Sequence, residues 1–134
     1  MASISNAELK VTTNVPVDRA AVVVSCDVDF TDVEVNAMNM LGLQYNLTCE
    51  VMNKELFDED LVLSYRAQQF PIVPGDARRH SHIVFDTHEW MDALHERLIG
   101  KDQLVASLTL TNEERKSAVT AKTEVISVDL AASA

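Results

Sequence analysis

Residues 20–30 constrain the fold most, because Val22, Val24, Cys26, Val28 and Phe30 fall on every second position while Ser25, Asp27 and Asp29 sit between them. Side chains on a strand point to opposite faces in turn, so this spacing gives one apolar face and one wetter face. Residues 43–51 repeat it, with Leu43, Tyr45, Leu47, Cys49 and Val51 alternating with Gln44, Asn46, Thr48 and Glu50. Each apolar face needs a covering layer, so the chain reads as a packed sheet protein.

The same rhythm marks further strands at 8–17, 61–67, 80–85, 104–111 and 118–128. Pro16 removes a ladder donor and makes 8–17 an edge strand. The last two strands form a hairpin around the charged turn at 112–117. Pro71, Pro74 and Gly75 mark a long connection over 70–79. Thr31 followed by Glu34 has the form of a capping box, yet Val33, Val35 and Ala37 alternate as in a strand. A short helix is therefore expected only over 37–41, closed by Gly42. The main helix is expected over 87–99, with Asp86 and Glu89 capping it and Gly100 stopping it. Its stripe of Trp90, Leu94 and Leu98 makes Trp90 a core plug between helix and sheet.

These signals give an all-β fold, an antiparallel β-sandwich of about seven strands with one short helix near 87–99. Its connections are immunoglobulin-like or jelly-roll-like. One domain over 1–134 is expected, with 1–7 and 130–134 flexible.

Twenty-one acidic against eleven basic residues leave a formal charge of −10, which repels phosphate backbones and anionic headgroups. Nucleic acid is thus a poor partner, and no apolar run is long enough for membrane insertion. The short polar start lacks the form of a secretory signal, which favours a cytoplasmic setting; a mature secreted chain would read the same. Cys26 and Cys49 lie on apolar faces, where a free thiol acts as a small hydrophobe. A disulfide between facing strands is the alternative.

The most suggestive constellation is His80, His82, Asp86 and His88, which share one face if the strand continues that far. Imidazoles two residues apart can close around one zinc or iron ion. Gly75, His80, His82 and Asp86 resemble the first motif of the cupins, in which a glycine precedes His-x-His and a later carboxylate. That resemblance implies a jelly-roll barrel whose motif residues hold a metal, often for oxygen chemistry. The spacing from the glycine is one short, Asp86 stands where the family has glutamate, and no second motif follows Gly100.

Asp27, Asp29 and Asp32, with Asp58, Glu59 and Asp60, offer oxygens for calcium if both groups lie at one end of the sandwich. Gly42, Gly75 and Gly100 are isolated, so no phosphate loop exists. The leading expectation is a non-catalytic interaction or structural module of a larger assembly. It would act through a protein partner or by self-association through an edge strand, most readily 8–17. The alternatives are a small metal protein on His80, His82 and Asp86 and a calcium-dependent binding module.

Overall fold

The computed structural model describes residues 1–54, 58–95, 101–112, 114 and 117–130. Among the described residues, nine antiparallel strands form two sheets. The smaller has the order β1 (Ser3–Asn14), β2 (Arg19–Asp29) and β6 (His80–Trp90). In the larger, β3 (Tyr45–Lys54) lies beside β7 (Asp102–Asn112). The other side of β3 is taken first by β5 (Gln68–Phe70) and then by β4 (Glu59–Ser64). Beyond β7 lie β9 (Ile126–Val128) and β8 (Ser117–Lys122). The nine segments therefore fill seven strand positions, three in one sheet and four in the other.

The alternation read from the sequence is what buries the core. Val22, Val24, Cys26 and Val28 on β2 face Leu47, Cys49 and Val51 on β3 and Leu104, Ala106, Leu108 and Leu110 on β7, all essentially without solvent contact. Each such Val or Leu contributes roughly 1.5–3 kcal/mol over leaving it exposed. Phe30 seals one end against Tyr45 and Phe70, at ring separations of 4.9 and 5.3 Å. Both thiols are free and buried. Burial first, then the Asp27 charge, pushes the Cys26 thiol up to about 11. Burial does the same to Cys49, up to about 12.

Several local expectations change. The first strand begins at Ser3, ahead of the expected residue 8, with Ser3, Ile4 and Ser5 opposite Asp29, Val28 and Asp27 of β2. It ends where Pro16 enters a single 3₁₀ turn, Val15–Val17. Helix α1 spans Asp32–Leu41 and starts earlier than 37, because the Thr31–Glu34 capping box forms and outweighs the alternation of Val33 and Val35. Gly42 closes it in the left-handed conformation, as expected. The expected last strand is split into β8 and β9. Between them Thr123 turns inward, its hydroxyl accepting from Ala106 N–H at 2.9 Å and its own N–H donating to Ala106 C=O.

The largest correction concerns 87–99. Residues 87–90 continue β6, and only α2 (Met91–Leu94) is helical; 96–99 lie outside the described residues. Asp86 caps nothing, because β2 pairs with β6 along its whole length, as far as Arg19 opposite Trp90. Strand parity then turns Trp90 outward, 51% exposed, beneath the Arg19 guanidinium at 3.6 Å. Met91 and Leu94 fill the core place expected of it. A buried network fixes α2. Asn53 Nδ2 donates to Leu94 C=O and to Asp102 Oδ1, both at 2.9 Å, and His95 Nδ1 lies 2.5 Å from Asp102 Oδ2. No helix among the described residues is long and apolar enough to cross a membrane.

Candidate functional site

The outward face of the small sheet gathers the candidate residues of β6 and β2. On β6 the exposed places are taken by His80, His82, Val84, Asp86, His88 and Trp90. Opposite them on β2 stand Asp29, Asp27, Ser25, Val23, Ala21 and Arg19 in the same order. Directly opposed side chains of unlike charge stabilise each other across an antiparallel pair. Here that rule builds two imidazole–carboxylate pairs.

His80 Nδ1 lies 2.8 Å from Asp29 Oδ1, and His82 Nδ1 lies 2.8 Å from Asp27 Oδ1. A carboxylate only accepts, so each Nδ1 carries the proton and donates. His80 Nε2 is also 3.8 Å from Asp27 Oδ1. The bulge between Ser5 and Glu8 places Asn6 at φ 52°, a left-handed conformation asparagine tolerates, and Asn6 Nδ2 donates to Asp27 Oδ2 at 2.7 Å. The Asn6 and His82 hydrogen bonds hold the Asp27 carboxyl below the usual carboxylate range. The Asp29 hydrogen bond holds the His80 imidazole above its ordinary value. Each donated Nδ1–H fixes its ring.

Asp86 shares this face but sits four residues along β6 from His82, about 13 Å at the strand rise. His88 is farther still. The carboxylates at His80 and His82 are therefore Asp29 and Asp27. Among the described residues, no group of three or more His, Cys, Asp or Glu is placed to hold a metal ion. The acidic groups considered for calcium do not meet. Asp32 sits at the Tyr45 end of the sandwich, paired with Arg79 at 3.2 Å, whereas Glu59 stands opposite Lys54 at the far end of β3 and pairs with Lys122.

A second feature runs along the other side of β6. Among the described residues β6 pairs with β2 alone, so its other edge is open. Beside that edge a groove of about 540 Å³ separates Val84, Asp86 and Thr87 from Leu63, Tyr65 and Arg66. Tyr65 spans the gap beneath, its hydroxyl donating to Val22 C=O at 2.7 Å and its ring 5.4 Å from Phe85. The alternation of β6 marks its faces in the sequence, but no local signal tells which edge stays open. Comparison with protein-family models, with curated proteins and with solved structures finds no match.

Proposed function

We propose that this protein works by contact, as a non-catalytic β-sandwich module that takes an extended segment of a partner chain along β6. The observation that carries this reading is an eleven-residue edge strand, unpaired on one side among the described residues, lying beside a groove. Edge strands present a row of main-chain donors and acceptors, and an added strand gains affinity from them and specificity from alternate side chains. β6 suits this better than β1, the edge expected from the sequence. β1 carries the Asn6 bulge, a device that disfavours pairing, and its other side lies against β8.

Val84 is half-exposed on β6, and lysine there obstructs an incoming strand while leaving the core untouched. Pull-downs from the native source should retain a partner with the natural chain and lose it with Val84→Lys. Equal retention by both, or none by either, refutes the reading.

A metal carrier that binds through His80 and His82 alone is the second reading, favoured by two imidazoles whose Nδ1 atoms are each fixed on an aspartate. Asp27 and Asp29 would then orient the rings rather than bind the metal, and Asp86 would take no part. Elemental analysis of protein purified without chelator, compared with His82→Ala, tests it: metal absent, or unchanged by the substitution, ends it.

A further inference from the structure

We propose that the strand added along β6 is β6 of a second copy, antiparallel, with Val84 opposite Val84 on a two-fold axis. This rests on the β6 reading and names the partner. A strand that continues the small sheet keeps outward residues opposite outward ones, so the two copies can shift only in steps that preserve parity. With Val84 at the centre, the run from Arg79 to Glu89 opposes its own reverse, and the two match. On the outward face His82 falls opposite Asp86. On the inward face Ile83 falls opposite Phe85, and Ser81 opposite Thr87. At each end Glu89 meets Arg79, the residue just before the strand. His80 falls opposite His88, a pair of like groups that is indifferent while either ring is neutral. Favourable pairs contribute roughly 0.2–1 kcal/mol each over Ala–Ala, and the two-fold axis repeats every pair that lies off it.

The neighbouring registers lose this match. Centred on Phe85, Val84 meets Asp86, Ser81 meets Glu89, and no unlike charges are opposed. Centred on Ile83, His80 meets Asp86, but Val84 falls opposite His82 and Phe85 opposite Ser81.

Charge selects the occupant. A chain of net charge −10 repels its own copies at long range, so a pairing surface has to answer its own carboxylates. Asp86 and Glu89 form no hydrogen bond or ion pair among the described residues, and a second copy brings His82 and Arg79 to them. His82 is held through Nδ1 on Asp27, which leaves its Nε2 for the second copy. Arg79 pairs with Asp32 at 3.2 Å, and its five donors can serve a second carboxylate. A uniformly basic segment would answer Asp86 and Glu89 but also face Arg79 and three imidazoles; a uniformly acidic one has the reverse fault. The mixed order that fits is that of β6 itself, reversed. At the axis the pairing covers Val84, which is 54% exposed.

Sedimentation velocity with light scattering, from low micromolar to near-millimolar protein, tests the pairing, and cysteine cross-linking tests its register. The mass should climb from 14.8 kDa toward twice that value. Val84→Lys sets like charges face to face on the axis and should weaken pairing roughly 30-fold or more. Under mild oxidation Val84→Cys should link two copies, because directly opposed residues lie about 4.5–5.5 Å apart, within disulfide reach. Asp86→Cys should link roughly tenfold more slowly or worse, since the two copies of that position stand four residues apart, about 13 Å. The buried Cys26 and Cys49 do not compete. Circular dichroism confirms that each variant folds, and Val84→Glu replaces the lysine variant if that does not. A monomer at every concentration, a dimer indifferent to a charge at 84, or equal cross-linking by both cysteines overturns the proposal. A monomer whose pull-down partner is lost with Val84→Lys sinks the self-pairing and leaves the β6 reading standing. A monomer that retains no partner sinks both.

Discussion

Replacing Glu34 by glutamine should loosen one end of the sandwich by about 2 kcal/mol. The Glu34 carboxylate is a four-way junction. Oε1 accepts from Thr31 N–H and Thr31 Oγ1–H, both at 2.9 Å, closing the helix cap. Oε2 accepts from Tyr45 O–H at 2.9 Å and Ala2 N–H at 3.0 Å, tying α1 to β3 and to the start of the small sheet. Glutamine keeps an oxygen for the cap, since the capping box accepts it. Its amide then faces the Ala2 N–H, donor against donor, and the Tyr45 hydroxyl must reverse. Losing one charge-assisted bond and straining another costs roughly 2 kcal/mol, or about 8 °C in melting temperature for a chain of this size. Denaturant melts of the natural chain, Glu34→Gln, Tyr45→Phe and the double variant separate the terms, with a coupling of about 1 kcal/mol expected.

The pH dependence adds a second check. Burial alone would raise the Glu34 carboxyl, but the bonds from Thr31 and Tyr45 win and hold it below its ordinary 4.5. A depressed carboxyl stabilises the fold above its unfolded value and loses that contribution as pH falls through the folded one. The gap between the natural chain and Glu34→Gln should therefore be full at pH 7 and close below about 4.5. A difference under about 0.5 kcal/mol at pH 7, or one that does not change with acid, refutes the junction.

Three further outcomes follow from the geometry. In nuclear magnetic resonance titrations His80 should lose its proton above the ordinary 6.5, and Asn in place of Asp29 should bring it back down. Because the folded value is raised, whatever His80 contributes to stability is present below 6.5 and fades as pH climbs through the folded value. Cys26 and Cys49 should resist a thiol reagent at pH 8 in the native protein and react together in denaturant, since both are buried with raised thiols. Tyr65→Phe should cost about 1 kcal/mol in a denaturant melt through loss of the hydroxyl that bridges the sheets to Val22.

The strands that bury one face were readable from residues alone, and β2, β3 and β7 lie where alternation put them. Burial is a property of a side chain's parity along its own strand, so a local pattern carries it. Partnership between strands is not local. Asp27 and Asp29 stand on the wetter face of β2 in the sequence, but only the register of β2 on β6 shows that they meet His82 and His80, which lie 55 and 51 residues away. The same pairing explains the misreading of 86–90. Asp86, Glu89 and the spacing of Trp90 with Leu94 give a real helical signal, yet β2 offers a full ladder to that backbone and takes it. At α1 the contest went the other way, because Thr31 and Glu34 complete a cap and, among the described residues, no strand pairs with this backbone.

Amide hydrogen exchange along His80–Trp90, with and without a partner retained in the pull-down, bears most directly on the proposed contact at β6. Protection should rise along β6 when the partner is present and stay unchanged on β1. Unaltered exchange along β6 in a complex that has demonstrably formed would contradict the edge-pairing mechanism.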